Sequence, residues 1–341
     1  MLSATRFLTL SAALAALSGC PGEGPPPPGV TLPEPDQGWQ FEVAEFDVPA
    51  GHEIQNCYFV EVPEDEEVCV ARIEVAQEPG THHMNVFRLG TQIDLWGEAG
   101  DVVYGDSEDR TTPCWRSGNW ADWPLVVNSQ QSDEGGHYDW TMPDGVVHHF
   151  APGEVLMIQS HYVNGSTQVG EVGHVFVNFH TVPCDGTQEL GTMFATNQGI
   201  DICPGDLGIE FSSSCGNGFT DPVTVIAANS HYHSRGRNFT IEPYDPIAGE
   251  YGEPFYENES WDDPLMATDL DVTITPDQRI GWHCSYDYAP PAGGTTCEDL
   301  DAINASKEPT CCYGFGGIVD ASEHCNIFVY YYPKVEDFSC I

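Results

Sequence analysis

Short runs rich in Val, Ile, Phe and Tyr alternate along the chain with Gly and Pro, which number 35 and 26. Examples are Val155 to Val163, His174 to Val182, Val223 to Asn229, Asp271 to Ile274 and Ile327 to Tyr332. Runs of this length, rich in β-branched and aromatic residues and bounded by turn residues, predict strands. No long stretch has the spacing of an amphipathic helix. The pattern predicts an all-β protein built as one or two β-sandwiches. The length of 341 residues suits two domains. A boundary is expected around Val182-Pro183-Cys184, giving an N-terminal domain over 38–182 and a C-terminal domain over 183–341. The segment from Asp245 to Pro264 is acidic, aromatic and irregular, and reads as a surface insertion.

The N-terminus breaks this pattern. Arg6 precedes an apolar run from Phe7 to Leu17 that is too short to span a bilayer and fits a signal-peptide core. The run ends in Leu17-Ser18-Gly19-Cys20, which resembles the lipobox of bacterial lipoproteins. Residues 1–19 are thus expected to be a cleaved signal peptide, with Cys20 lipidated as the mature N-terminus. Residues 20–37, with Pro25 to Pro28, form an extended spacer. The expected location is the bacterial cell envelope, outside the cytoplasm, with membrane contact only through the lipid.

Acidic residues number 53 against 10 basic, a net charge of −43. This excludes a general nucleic-acid binder and argues against electrostatic docking on anionic lipid. A heavily solvated surface is the plain reading. Thirteen cysteines leave twelve once Cys20 is set aside. In an exported chain an even number reads as a disulfide framework. The adjacent Cys311 and Cys312 fit two separate disulfides better than a soft-metal site. Sequons at Asn164, Asn238, Asn258 and Asn304 carry no weight in a bacterial host.

The chemistry is concentrated in thirteen histidines. His231 and His233 are two apart, so on a strand both imidazoles point to one face and can converge on a metal. His82 and His83 are adjacent, and can share a metal only at a strand end or a bulge. His161 stands alone within Gln159-Ser160-His161-Tyr162, and alone is a weak signal. His148-His149 fits a loop or strand edge. His52, His137, His174, His180 and His283 read as structural or surface residues.

Taken in order, His82-His83-Met84, Gln159-Ser160-His161-Tyr162, His231-Tyr232-His233 with Gly236, and Glu323-His324-Cys325 followed by Asn326 to Pro333 are recognisable. Over about residues 45–341 the chain resembles the type II, ascorbate-dependent copper monooxygenases, the family of peptidylglycine α-hydroxylating monooxygenase and dopamine β-monooxygenase. The resemblance implies two tandem jelly-roll-like antiparallel domains, disulfide-stapled, facing each other across a solvent-filled cleft, with one copper each. It implies an electron-transfer copper on His82, His83 and His161, and an oxygen-binding copper on His231, His233 and His324. It further implies disulfides Cys284–Cys325 and Cys215–Cys340. Cys57–Cys114 is plausible in the first domain. Cys184–Cys203 is a guess among six cysteines that the sequence does not pair. The implied activity is hydroxylation of a C–H bond of a small organic substrate by O2, with ascorbate or another small reductant supplying electrons.

Two positions depart from the family. Its third ligand at the oxygen site is a Met, and here His324 stands there. Thioether sulfur favours Cu(I), whereas imidazole suits both oxidation states. The peptidylglycine enzyme also uses an Arg for the substrate carboxylate where this chain has Asn229, and a Tyr where it has Phe328. Peptidylglycine is therefore not the expected substrate. Competing readings are a non-catalytic copper-binding or copper-buffering lipoprotein, a surface module without catalysis, and, more weakly, a zinc hydrolase lacking any HExxH motif.

Overall fold

A computed structural model describes residues 30–340 apart from 64, 91, 108–110, 117–122, 131–135, 217–218, 263, 292–294, 304–309 and 336–337. The signal peptide, Cys20, most of the spacer and the Asn304 sequon lie outside the described residues. Among them no helix is long and apolar enough to cross a membrane.

The fold is all-β, with two short helices, Pro113–Arg116 and Cys297–Ile303. The first sandwich has an outer sheet in the order Gly38–Val48, Glu171–Val182, Val68–Gln77, Val146–Phe150 and Gln188–Glu189, with His137–Thr141 also paired to Val68–Gln77. Its inner sheet runs Val102–Val103, Glu53–Glu61, Val155–Val163, Thr81–Arg88 and Leu125–Gln130. The second sandwich has an inner sheet of Val272–Ile274, Val223–His231, Asn326–Tyr332, Gly191–Thr196 and Phe338–Cys340. Its outer sheet is Ile209–Cys215, Arg279–Tyr286, Gly236–Asp245 and Glu250–Tyr251, with Tyr256–Asn258 on the Gly236–Asp245 strand. The segment expected as an irregular insertion thus supplies two short strands to this sheet. Its alternating aromatics fold onto it, with Tyr256 buried.

The two inner sheets face each other, and this explains their burial. Strands of a one-sided sheet alternate buried and exposed, but Leu125–Gln130 and Val223–His231 are almost wholly buried. On Thr81–Arg88, Met84 and Val86 enter the core between the two sheets of the first sandwich. The alternate positions His83, Asn85 and Phe87 face the second sandwich and line a cavity there. On Asn326–Tyr332, Ile327, Val329 and Tyr331 enter the second core. Phe328 and Tyr330 instead join the first sandwich's cluster, with the Tyr330 hydroxyl accepting the Asn128 backbone N–H at 3.1 Å.

The crossing between sandwiches falls later than Val182. Cys184 is bonded to Cys69, and Gln188–Glu189 pairs in parallel with Val146–Val147 of the first sandwich. The chain enters the second sandwich at Gly191. A glycine is needed at this entry, because an ideal Cβ on Gly191 would lie 2.5 Å from the Tyr331 ring.

All twelve described cysteines are paired. Cys57–Cys114, Cys215–Cys340 and Cys284–Cys325 are joined, with Cys69–Cys184, Cys203–Cys312 and Cys297–Cys311. The guessed Cys184–Cys203 pair is thus corrected, because the two cysteines belong to different sandwiches. Adjacent Cys311 and Cys312 go to different partners. Cys284–Cys325 anchors the strand that follows His324 to the outer sheet of the second sandwich. Removing it as Cys284→Ala/Cys325→Ala should cost about 2–4 kcal/mol, read from the denaturation midpoint of the copper-free protein under oxidising conditions.

Candidate metal centre

Local backbone geometry brings the histidines together. His83 pairs across the ladder with His161, while Thr81 pairs with Tyr162. One extra residue, His82, therefore stands in a bulge, where an adjacent pair can turn toward one side. The His82 and His83 ring centres are 5.2 Å apart, and they lie 5.0 and 4.9 Å from His161. In the second sandwich, His231 ends its strand and His233 follows in the turn leading to Gly236–Asp245. Their rings are 5.3 Å apart, and His324 lies 4.9 and 4.6 Å from them. An ideal Cβ on Gly236 would come within 1.8 Å of the Tyr232 ring, so this tight turn needs a glycine.

The two triads do not stand apart across solvent. The His82 ring is 4.8 Å from His231 and 5.4 Å from His233, and His83 is 5.2 Å from His231. Direct contact of the inner sheets replaces the expected solvent-filled cleft with one cluster of six imidazoles. The closest metal-capable groupings are His82, His83 and His231, and His231, His233 and His324, each with ligand atoms within 4.8 Å of one another. A third grouping, Asp201, Cys203 and Cys312, has both sulfurs in a disulfide and offers no thiolate.

Each of the six rings has one buried nitrogen without a hydrogen-bond partner: Nε2 of His82, His231 and His233, and Nδ1 of His83, His161 and His324. For four of them the other nitrogen is engaged. His83 Nε2–H donates to Gln159 Oε1 at 3.0 Å, and His231 Nδ1–H to Gln130 Oε1 at 2.8 Å. His233 Nδ1–H donates to the Ser322 carbonyl at 2.8 Å, and His161 Nε2 faces Glu53 Oε2 at 3.4 Å. Such bonds fix which nitrogen carries the proton and leave a lone pair on the other. Burial pushes His83, His161 and His324 down to about 3, with the neighbouring imidazoles adding to the shift for His83 and His324. His82, His231 and His233 are pushed well below the ordinary value for the same two reasons. All six are neutral at pH 7, as metal ligands must be.

The remaining histidines behave differently. His52, His174, His180 and His283 each face a carboxylate, Asp106, Glu42, Glu74 and both Glu210 and Glu242 respectively. The hydrogen bond that His283 Nε2–H donates to Glu242 raises the His283 pKa, opposite in sign to the cluster. His149 contacts Glu67 and Thr187, and His137 is exposed. His148 is buried against Trp140, away from the six.

A buried ion pair holds the second half of the cluster. Glu323 is fully buried, and one carboxylate oxygen accepts the His233 backbone N–H at 2.8 Å. The other accepts Arg235 N–H and Nε–H at 3.0 and 2.7 Å. Arg235 also donates to the carbonyls of Val319 and Ser322 and stacks on Tyr313. Tyr286 O–H donates to the His324 carbonyl. Glu323 thus lashes the His231–His233 turn to the loop bearing His324. Burial raises its pKa, against the pull of Arg235.

Amides join the two halves. Gln130, on the first sandwich, donates to the Ser230 carbonyl while accepting from His231. Asn85 donates to Gln159, Asn128 to Asn85, and Asn229 to Asn128. Asn229, at the position of the family's substrate Arg, therefore stitches the sandwiches together. Gln130 and Asn128 are absent from the sequence reading. Their signal was faint: in Leu125-Val126-Val127-Asn128-Ser129-Gln130 three polar residues follow three apolar ones, which ordinarily reads as a strand running out into solvent.

No protein-family profile and no curated protein matches the chain. Among solved structures, it is similar to a protein of Eubacterium rectale described as secreted, at 9% identity and TM-score 0.23, over 81% of this chain and 68% of that one. It is also similar to a structure of infectious bursal disease virus, Gt strain, at 9% identity and TM-score 0.19, over 88% and 78%. Likenesses this slight carry no argument about fold or function.

Two predictions follow from the cluster's environment. Without metal, stability should fall as pH drops below about 6.5, because unfolded histidines then take protons that the folded cluster refuses. The loss from one histidine reaches about 2 kcal/mol at pH 5 and levels off only near its folded value of about 3. Denaturation midpoints at pH 7.5 and 5 measure it, and metal bound to the neutral cluster should raise both midpoints without removing the difference. Separately, Arg235→Met should cost about 3–5 kcal/mol by stranding the Glu323 charge, and Arg235→Met/Glu323→Gln should recover part of that loss in the same melts.

Proposed function

We propose that this chain is a copper-dependent monooxygenase that hydroxylates a C–H bond of an uncharacterised small organic substrate, using O2 and an external reductant such as ascorbate. The observation that carries this reading is the set of six neutral imidazoles, each with one buried, unpartnered nitrogen. Leaving polar atoms buried and unpaired is costly unless something binds them. All-imidazole donors suit copper, and six are enough for two ions. His82, His83 and His161 would hold one ion, and His231, His233 and His324 the other. Bound copper supplies one-electron transfer and dioxygen activation. The chain's own part is to fix the ring orientations through Gln159, Gln130 and Ser322, and to hold the two halves together through the amide chain. It also encloses a cavity of about 410 Å³ that reaches His83, His161, His231, His233 and His324.

The export reading belongs to the same proposal. Six disulfides fit an oxidising compartment, and the Cys20 motif fits a lipid anchor in the bacterial envelope. A second reading is favoured by one residue. With His324 in place of a thioether ligand, both triads are all-imidazole and stabilise Cu(II), as suits a copper-holding lipoprotein without oxygen chemistry.

The protein without its lipid, loaded with copper and titrated with ascorbate under oxygen, separates the readings. The monooxygenase predicts two coppers per chain that cycle, with oxygen uptake above a free-copper control. His233→Ala should remove one copper and the uptake. Copper that binds without turnover, but turns over in His324→Met, would favour the copper-holding protein. Less than one copper per chain would sink both.

A further inference from the structure

The cavity beside the histidines has a second end, and its walls define what it accepts. Although the chain carries 53 acidic residues, no Asp, Glu, Lys or Arg among the described residues lines this cavity. Away from the imidazoles its walls are carboxamides and aromatic rings. A charged ligand entering it would lose hydration without gaining a counter-charge. Copper at the histidine end would add positive charge and so disfavour a cation further.

Register fixes the order of groups along the wall. Thr196, Asn326 and His231 stand side by side on adjacent strands of the second inner sheet. Asn326 is only 6% exposed and Thr196 5%, both line the cavity, and Asn326 Oδ1 and Thr196 Oγ1 have no hydrogen-bond partner. Trp115 Nε1, on the same cavity, and Asn229 Oδ1 are likewise unpartnered, but only Asn326 and Thr196 share one cross-strand row with His231. Two residues along each strand come Phe194 and Phe328, which face each other across the ladder with ring centres 5.5 Å apart. A cross-strand row lies about 7 Å from the next on the same face. The wall therefore presents a metal-ligating histidine, then an unpaired amide and hydroxyl, then an aromatic platform.

We infer that the cavity is the binding site for an uncharged small molecule whose apolar or aromatic body lies on Phe194 and Phe328 and whose carboxamide pairs with Asn326 and Thr196. A carboxamide matches Asn326 because each offers one donor edge and one acceptor edge. Asn326 is the specificity-determining residue, and the ligand's polar group lies between its apolar body and the histidines. This deepens the proposed function by naming the substrate class, but binding itself does not need copper.

Three near-isosteric probes test it: phenylacetamide, phenylacetate and phenethylamine, which are neutral, anionic and cationic at pH 7. Calorimetric titrations are run on the copper-free and copper-treated protein, with bound copper counted in the same samples. Phenylacetamide should bind at least tenfold tighter than either charged probe to the copper-free protein, and at least tenfold tighter than phenethylamine to the copper-treated one, where the metal's charge would add attraction for phenylacetate. Asn326→Leu and, separately, Thr196→Val should each weaken it about tenfold while leaving the melting temperature of the copper-free protein within a few degrees. If Asn326→Leu fails to fold, Thr196→Val alone decides. Equal or tighter binding of a charged probe to the copper-free protein, unchanged amide binding in the variants, or no binding of phenylacetamide in either sample would overturn the inference. Amide binding by a protein that takes up no copper would leave it standing while the monooxygenase falls. Copper cycling without amide binding would do the reverse.

Discussion

The structure depends on one constraint: the inner sheet of each sandwich is buried on both faces. A sheet covered on one side can send polar side chains to water. Here the second face meets the other sandwich, so every polar group on it needs a protein or ligand partner. The amides Asn85, Asn128, Gln130, Gln159 and Asn229 meet that demand by bonding to each other, to the backbone and to histidines. The imidazoles meet half of it, each retaining one unpartnered nitrogen. The site is where the pairing of two polar sheet faces is left incomplete.

That constraint also explains why the ligand positions are rigid. His231 is oriented by Gln130 from the opposite sandwich, so the first sandwich positions a histidine of the second. His233 is held through Ser322 and Glu323, and the strand after His324 through Cys284–Cys325. A buried ion pair such as Arg235–Glu323 is weak evidence for stability, since desolvation offsets much of the attraction. Its value here is geometric: one carboxylate accepts three N–H groups from the turn that carries His233.

Much of the fold was legible because strand patterning is local. Val155–Val163 appears with the bounds its sequence pattern suggested, and four other expected strands appear with shifts of one to three residues. The bulge at His82 was readable as a condition on two adjacent histidines sharing a ligand. What was not legible was everything that depends on the two sandwiches meeting. A polar run such as Asn128-Ser129-Gln130 has the sequence signature of a wet segment, and only tertiary burial reverses that meaning. The cleft expected from the family resemblance failed for the same reason, since no local pattern encodes the distance between domains. Asp245 to Pro264 was misread because its two strands are only two and three residues long, too short for a period to show.

Ring-to-ring distances near 5 Å between the two triads bear on chemistry as well as architecture. Electron transfer between separate sites across solvent needs the second electron to arrive over a long gap. In a single cluster His231 belongs to both closest ligand groupings, so a change at one triad displaces a ligand available to the other. Replacing a thioether by His324 has a different meaning in that setting. In an isolated site it shifts the preference of one ion toward Cu(II). In a shared cluster it makes the two halves chemically alike, and the proposed copper chemistry would then take its asymmetry from outside the ligand set. The structure holds such an asymmetry: the second triad's flank carries Asn326, Thr196 and the Phe194–Phe328 platform, while the first triad is backed by Glu53 and the ring of Trp115.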